Sequence, residues 1–110
     1  MPEGLITYII ENDNCEIVSL NSLIEGKGIG TRLVDAVKTI ARENNCRRIW
    51  LIETNDNTHA LHFYQKRGFR LKAIYPDAIE ISRNLKTEIP LTGNDGIPIR
   101  DELELEIYLN

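Results

Sequence analysis

The sequence has few of the features that identify secreted, membrane-bound or nucleic-acid-binding proteins. Only 2 of its 110 residues are cysteine, and they form no Cys-x-x-Cys pair, so neither a disulfide scaffold nor a zinc site has support. No apolar run is long enough to span a bilayer. Acidic residues outnumber basic residues by 17 to 13, which disfavours binding to nucleic acid. We therefore expect no metal, no membrane and no nucleic acid as partners.

Length and composition indicate one folded domain. A chain of 110 residues can bury a core without disulfides, and contents of 42% hydrophobic and 27% charged residues are ordinary for a globular protein. We expect a single domain over residues 1–110. Residues 1–4 show neither an export signal nor an Arg-rich organelle signal, so we expect a cytoplasmic location. Cys15 and Cys46 are then expected to be reduced thiols.

The first half of the sequence predicts a hairpin followed by a β-α-β crossover. Two segments rich in β-branched and aromatic residues, 5–10 and 15–20, flank Glu-Asn-Asp-Asn, as in an antiparallel hairpin. Apolar residues then recur at helical spacing over residues 31–44. The apolar run 49–52 is typical of a strand covered on both faces in a parallel sheet. This order of elements predicts a right-handed crossover.

The second half predicts a short helix, a strand and a long connection. Residues 55–58 offer several N-cap side chains before a short helix that ends at Gly68. Residues 69–75 alternate as in a strand. Residues 76–86 are compatible with a further short helix, and residues 91–98 form a loop rich in Gly, Pro and Asn.

The last segment alternates between aliphatic residues and glutamate. The aliphatic side holds Leu103, Leu105, Ile107 and Leu109, and the acidic side holds Glu102, Glu104 and Glu106. This alternation predicts an antiparallel strand that closes the sheet, with the glutamates as a charged face that discourages edge pairing. The predicted fold class is therefore α/β (α+β), with a mixed, mostly antiparallel sheet, one β-α-β crossover and flanking helices.

A glycine-bearing segment before the first helix is a candidate anion site. Gly26, Gly28 and Gly30 lie within five residues, where free N–H groups and the helix dipole favour negative charge. Glycine also lets the backbone approach a phosphate, because it has no Cβ. A loop that needs glycine only for its turns is the alternative.

Two general phosphate motifs fit this segment poorly. A P-loop needs Lys-Ser/Thr after its last glycine, but Gly30 is followed by Thr31 and Arg32. The dinucleotide fingerprint is half met, with Thr31 at the position of its third glycine. Glu53, at the end of the next strand, would serve as the ribose-binding acid of that fingerprint. Such a partial match is weak support for dinucleotide binding.

Two motifs resemble those of the GNAT family of N-acetyltransferases. Gly28-Ile29-Gly30, at a strand-to-helix turn, resembles the family's Arg/Gln-x-x-Gly-x-Gly/Ala motif. The more specific match is the downstream motif Asn57-x-x-Ala60-x-x-Phe63-Tyr64-x-x-x-Gly68-Phe69. The two motifs and the elements between them cover residues 16–75, and the last strand also fits. The chain thus resembles a GNAT domain that is shortened at its N-terminus.

The resemblance implies that acetyl-CoA is the co-substrate, with no metal. Backbone amides of the glycine turn would hold the pyrophosphate of coenzyme A, at Gly26, Lys27, Gly28, Ile29, Gly30 and Thr31. The pantetheine arm would pair with the end of the second strand, at Leu20, Asn21 and Ser22, in the manner of an added strand. Asn57 would contact the same arm, and it is also expected to cap the short helix.

The resemblance also implies catalytic residues. Tyr64 matches the tyrosine that protonates the departing thiolate, and packing beside Phe63 is its alternative role. Glu16 aligns with a position that supplies a general base in some members, and its alternative is an exposed strand carboxylate. His59 and His62 lack a third metal ligand at suitable spacing, so we interpret them as surface or capping residues.

The sequence thus predicts an N-acetyltransferase that moves an acetyl group from acetyl-CoA to a primary amine by direct attack in a ternary complex. A catalytically silent acyl-CoA-binding or interaction module is the alternative. It is suggested by Glu25 at the family's Arg/Gln position and by a sequence that begins at what would be the family's third strand. An exposed apolar edge would follow, and we therefore expect a homo-oligomer or a partner chain. The acceptor is expected to be a small-molecule or peptide amine.

Overall fold

The computed structural model describes residues 3–22 and 28–109. Its strands are β1 (Gly4–Glu11), β2 (Asn14–Ser22), β3 (Arg48–Thr54), β4 (Arg70–Tyr75) and β5 (Glu102–Tyr108). Its helices are α1 (Ile29–Glu43), α2 (Thr58–Lys66) and α3 (Ala78–Leu85), and a 3-10 turn spans Asn94–Gly96. The strands form one sheet in the order β1-β2-β3-β5-β4. The predicted mixed α/β class is confirmed.

The chain divides into two compact units, which we call unit 1 and unit 2. Unit 1 comprises Met1–Leu51 and Glu106–Asn110. Unit 2 comprises Ile52–Leu105. The single domain expected over residues 1–110 stays a prediction.

In unit 1, the β1–β2 hairpin and α1 enclose an apolar core. The strands pair antiparallel, and a bulge interrupts their register between Thr7 and Tyr8. Helix α1 packs on both strands. The buried residues of this core are Cys15, Ile17, Ile29, Val34, Val37, Ala41, Cys46, Ile49 and Leu51. Both cysteines are buried and neither forms a disulfide.

The boundaries of α1 differ slightly from the prediction. The helix begins at Ile29, two residues earlier than expected, because Gly28 takes a left-handed conformation (φ 70°) at the N-cap. Its end agrees with the prediction. Asn44 caps the helix and Asn45 adopts a left-handed φ of 61°, which asparagine tolerates better than most residues.

Strand β3 is not covered on both faces, and that prediction is wrong. Ile49 and Leu51 are buried, whereas Arg48 and Trp50 keep part of their surface exposed. The strand does pair parallel with β2. Its apolar run therefore conceals an ordinary strand alternation, because Trp50 lies on the solvent-facing side.

The glutamate row of β5 is also not a charged face that discourages edge pairing on a closing strand, and that interpretation is wrong. β5 lies between β3 and β4, so it is an internal strand. Glu106 is buried and accepts a hydrogen bond from Arg48 Nε at 2.5 Å. Glu104 accepts one from the Tyr75 hydroxyl at 2.6 Å. Two of the three carboxylates thus have partners within the sheet.

In unit 2, two polar residues between β3 and α2 anchor the chain that precedes β5. Asp56 is 4% exposed and accepts hydrogen bonds from the backbone and the side-chain nitrogen of Asn94, at 3.0 and 2.9 Å. Asn55 Oδ1 accepts the N–H groups of Arg100 and Asp101, each at 2.9 Å. The Gly/Pro/Asn loop predicted at residues 91–98 is therefore an ordered segment held by side chains.

Candidate active site

The start of α1 presents backbone N–H groups without a capping side chain among the residues that the structure describes. Gly28 at the N-cap forms no side-chain hydrogen bond, and the first turn holds no acidic residue. Ile29 and Gly30 form the first turn of the helix with Thr31. In the described part of this helix start, no acidic side chain of the first turn offsets the positive end of the helix dipole, which suits a phosphate group. Gly26 and Lys27 lie outside the described residues.

Glycine is required at position 28 because of the backbone conformation there, and not because a larger side chain would lack space. A Cβ added there would meet no atom within 4 Å. Its φ of +70° is nevertheless one that residues with a side chain rarely adopt. A substitution at Gly28 would therefore disturb the path of the backbone into α1 without filling a contact.

Strand β2 separates from β3 before it ends. The parallel pairing covers three residue pairs and stops at Glu16 and Trp50. β2 continues to Ser22, and over this length its other edge pairs with β1. Leu20, Asn21 and Ser22 thus lie on a stretch of β2 that is paired with one strand in the described part of the chain. The β3-facing edge of that stretch is suited to an extended ligand that pairs as a strand does.

Glu16 lies on the face of β2 that is opposite the core of unit 1. Its neighbours Cys15 and Ile17 are buried, and Glu16 is half-buried. It lines a shallow open cavity of about 200 Å³. The other residues that line this cavity are Ile9, Glu11, Asn12, Asn14, Arg48 and Trp50. Glu16 is thus half-buried at the edge of this cavity, and its role as a general base stays a prediction.

Charged side chains of both signs line this cavity. Arg48 packs over the Trp50 ring, 5.4 Å from its centroid, and its Nε donates to Glu106. Glu11 and Glu16 place two carboxylates in the same lining. A protonated amine would be attracted to such a surface.

Tyr64 is held on α2 between two aromatic rings. It is 3% exposed, and its ring meets Phe63 and Phe69 edge to face, with centroids at 5.1 and 5.3 Å. Burial raises the pKa of Tyr64, and the charge of Glu53 raises it further. The phenol therefore keeps its proton at neutral pH, as a general acid must. Packing and acid chemistry, the two roles weighed for this residue, are compatible.

Asn57 caps α2, as predicted. Its Oδ1 accepts the N–H of Ala60 at 3.1 Å, and its Nδ2 donates to Glu53 Oε1 at 3.2 Å. Its contact with the pantetheine arm stays a prediction. His59 and His62 are exposed on the same helix. Among the described residues, no group of three or more His, Cys, Asp or Glu side chains is arranged to hold a metal ion.

The sequence analysis named Glu53 only as the ribose-binding acid of a dinucleotide fingerprint and did not foresee its hydrogen bond with Asn57. Burial raises the pKa of Glu53, while the Asn57 hydrogen bond opposes that effect. The available signal was a carboxylate that directly follows a buried apolar strand, close in sequence to an N-cap. Of the site residues, Glu16 and the α1 start belong to unit 1, whereas Glu53, Asn57 and Tyr64 belong to unit 2.

Comparisons with known proteins agree on one family. Residues 4–69 match the model of the acetyltransferase (GNAT) family. The chain is 58% identical over 102 residues to the uncharacterized protein YxbD of Bacillus subtilis (strain 168), covering 93% of this chain and 64% of that protein. The chain therefore spans less than two-thirds of this relative's length.

Two further proteins carry functional names. Over 44 residues the chain is 43% identical to the streptothricin acetyltransferase of Streptomyces lavendulae, covering 40% of this chain and 23% of that enzyme. A Bacillus subtilis acetyltransferase solved in complex with CoA has a TM-score of 0.83 and 27% identity, covering 98% of this chain and 70% of that one. In the described part of this chain, no helix is long and apolar enough to cross a membrane.

Proposed function

Because this chain belongs to the GNAT acetyltransferase family, we propose that it transfers an acetyl group from acetyl-CoA to a primary amine. The observation that carries the proposal is the pairing of β2. It stops on the β3 side at Glu16 and continues to Ser22 on the β1 side. The next described element along the chain is α1, whose N-cap Gly28 makes no side-chain hydrogen bond. This arrangement offers a strand edge and a cluster of N–H groups in unit 1.

Coenzyme A is the group that these two features suit. Its diphosphate would accept hydrogen bonds from the backbone of Gly28, Ile29, Gly30 and Thr31, and the preceding Gly26 and Lys27 would extend the turn. Its pantetheine amides would pair with Leu20, Asn21 and Ser22 as an added strand does. The crystal structure of the related Bacillus subtilis acetyltransferase contains CoA, which supports this choice of ligand.

The reaction then needs one base, one acid and one carbonyl-polarising group. The acceptor amine loses a proton to Glu16 or to water and attacks the thioester carbonyl. A backbone N–H near Asn21 polarises that carbonyl. The C–S bond breaks, and Tyr64 protonates the departing thiolate. The acetyl group passes directly to nitrogen, so no covalent enzyme intermediate is formed.

The acceptor is a cationic small molecule or peptide. The cavity beside Glu16 supports this class, because the carboxylates of Glu11 and Glu16 line it. A homo-oligomer or a partner chain completes the acceptor side, and the exposed aliphatic residues on the edge strand β1, Leu5 and Ile9, support such an association. The protein acts in the cytoplasm.

Calorimetry with acetyl-CoA, followed by a screen of amines, polyamines and peptides with free-thiol detection, tests the proposal. Binding together with thiol release in the presence of one acceptor class is expected. Binding without transfer to any acceptor would favour the silent acyl-CoA-binding module. Binding of NAD but not of acetyl-CoA would contradict both. The Gly28→Val variant tests the turn before α1. It should weaken binding of acetyl-CoA through the strained backbone alone, because no side chain is removed.

A further inference from the structure

In unit 1, three side chains from three neighbouring strands form a row across one face of the sheet. Ile9 lies opposite Glu16 in the pairing of β1 with β2, and Glu16 lies opposite Trp50 in the pairing of β2 with β3. Residues opposite one another in neighbouring strands point to the same face of a sheet. All three line the cavity on the face opposite the core. We call them the Glu16 row, because its carboxylate lies between an aliphatic side chain and an indole.

A second, polar row borders the same cavity. Glu11 lies opposite Asn14, and Asn14 lies opposite Arg48. Arg48 supplies the positive charge of the lining, but its side chain is only 19% exposed, packs over the Trp50 ring and donates to Glu106. The guanidinium is thus held within the sheet and turns little of its surface toward a ligand.

The carboxylate of Glu16 differs from other carboxylates on β5 by having no partner. Glu106 and Glu104 accept hydrogen bonds from Arg48 and from the Tyr75 hydroxyl. In the part of the chain that the structure describes, no hydrogen bond or ion pair joins the Glu16 carboxylate to another residue. A half-buried carboxylate in this state gains most from a ligand that brings a positive charge and N–H donors.

The size and walls of the cavity limit the shape of such a ligand. Its volume is about 200 Å³, below the range of about 300–1,000 Å³ that is typical of pockets for drug-sized molecules. The backbones that carry Ile9 and Trp50 are two strand spacings apart, about 10 Å, and Glu16 lies between them. A single methylene chain can contact both walls, and burying it there is favourable. A ring or a branch next to the nitrogen would instead collide with one wall.

The Glu16 row also lies at the point where the thioester is expected. A Cβ added at Gly4 would lie 2.9 Å from both the Asn21 carbonyl oxygen and an Ile29 methyl group, so the first turn of α1 lies beside the last residues of β2. A pantetheine arm that starts at this turn and follows β2 therefore directs its thiol back toward Glu16. The β2–β3 pairing begins again at Glu16 and Trp50, which ends the free strand edge there.

We propose that the Glu16 row selects an unbranched aliphatic primary amine as the acceptor, with its ammonium against Glu16 and its methylene chain between Ile9 and Trp50. This inference rests on the proposed function and names its acceptor. A free alkylamine and a lysine side chain share this chemistry. In the transfer, the ammonium gives one proton to Glu16, and the N–C bond forms as the C–S bond breaks. The nitrogen then releases a second proton to solvent, and the thiolate takes up one from Tyr64.

The fluorescence of Trp50 tests the inference without turnover, because Trp50 is the only tryptophan in the sequence. We expect n-pentylamine to change the emission in a saturable manner at neutral pH. Cyclopentylamine, with the same number of carbons in a ring, should need a concentration about tenfold higher or more for half-saturation. Pentanoate should give no saturable change. Equal half-saturation by the two amines would overturn the inference, and so would saturable binding of pentanoate.

Variants of the cavity sharpen this titration. Glu16→Gln should raise the half-saturating concentration of n-pentylamine about tenfold or more, whereas Glu11→Gln should raise it less than about threefold. Ile9→Ala removes one wall and should bring cyclopentylamine within about threefold of n-pentylamine. Leu71→Ala is the matched control, since Leu71 is 52% exposed on the edge strand β4 and Ile9 is 53% exposed on β1. Equal losses in the two glutamate variants would indicate general attraction to acidic residues and would overturn the inference.

Acetyl transfer with free-thiol detection gives the second readout. The acceptors are n-pentylamine, cyclopentylamine and a peptide with one lysine and a blocked N-terminus. Transfer to n-pentylamine or to the lysine supports the inference, and the better of the two identifies the source of the amine. An equal kcat/KM for cyclopentylamine would overturn the inference while supporting the proposed function. A chain that transfers acetyl to no amine would contradict the proposed function, and the Trp50 titration would still decide which amines the cavity binds.

Discussion

The candidate residues of unit 1 and those of unit 2 are of different chemical kinds. In unit 1 the start of α1 and the edge of β2 offer backbone N–H and C=O groups, and Gly28 serves by its left-handed conformation. In unit 2 the residues between β3 and α2 act through their side chains, with Asp56 and Asn57 as the centres of hydrogen bonding. A site made of backbone tolerates changes of side chain that keep its conformation. A site made of buried side chains does not.

The largest expected effect on stability comes from a substitution at Gly93. At this position glycine is required by lack of space, whereas Gly28 and Gly96 are required by their positive φ. A Cβ added at Gly93 would overlap the Asp56 carboxylate, at 2.7 Å from its Cγ. Gly93→Ala should therefore lower the free energy of unfolding by about 3 kcal/mol, because a buried and fully bonded carboxylate has no room to move. Urea unfolding at neutral pH measures this.

Gly96→Ala is the control for that experiment. Gly96 has a φ of +76° and no atom within 4 Å of an added Cβ, so only backbone strain applies. Its cost should be about 1 kcal/mol. Equal costs at Gly93 and Gly96 would contradict the close approach of Gly93 to Asp56, and with it the claim that side chains hold this turn.

A second prediction concerns the pH dependence of Asp56. Burial alone would raise the pKa of Asp56, but hydrogen bonds from Thr54 and Asn94 outweigh it and hold the pKa below the ordinary value of 3.8. A carboxyl group with a lowered folded pKa adds stability above its unfolded pKa. That stability is lost as the pH falls below 3.8 and through the folded value.

Asp56→Asn removes this contribution. At neutral pH we expect the variant to be about 2 kcal/mol less stable than the wild type, because the charged hydrogen bonds become neutral ones. The difference between the two proteins should shrink as the pH falls below 3.8. Thermal unfolding in a series of buffers measures it, and a difference that stays constant with pH would show that the carboxylate charge is irrelevant.

The smallest expected effect is on turnover after removal of either cysteine. Burial is the larger cause that raises the pKa of Cys15, to about 11, and the nearby Cys46 adds to it. Cys15 is therefore a thiol and not a nucleophilic thiolate at neutral pH. Cys15→Ala and Cys46→Ala should each leave kcat within about twofold of wild type, since direct transfer needs no thiol nucleophile. A large loss in one variant would indicate an acyl-cysteine intermediate.

The elements of unit 1 were predictable because local patterns determine them. Two β-branched runs around a polar tetrapeptide gave the hairpin, and helical spacing gave α1. The exact start of α1 was not predictable, because it depends on the left-handed Gly28. The alternation within β3 was also hidden, because Trp50 is apolar in sequence but lies on the solvent-facing side.

Much of unit 2 could not be predicted, because its order depends on contacts between residues far apart in sequence. Asp56 and Asn94 are 38 residues apart, so no local pattern reveals their hydrogen bond. The same limit applies in unit 1, where the pairing of Glu106 with Arg48, 58 residues away, converts an expected surface charge into a part-buried ion pair. Asn57 was the exception, because an N-cap is recognised from its immediate neighbours.

The family motifs identified more of the candidate site than physical patterns did. The Asn57-to-Phe69 motif selected Tyr64, which the structure holds between two aromatic rings. No acetyltransferase motif selected Glu53, because its hydrogen bond with Asn57 depends on the fold of the turn between β3 and α2. Glu53 could thus be identified only from the structure, whereas the backbone groups at the start of α1 could be recognised in the sequence from their glycines.

A crystal structure of the protein with acetyl-CoA tests the central claim most directly. We expect the diphosphate to accept hydrogen bonds from the N–H groups of Ile29 and Gly30, and the pantetheine arm to run along Asn21. A diphosphate bound elsewhere, with those N–H groups turned away or covered by side chains, would contradict the account.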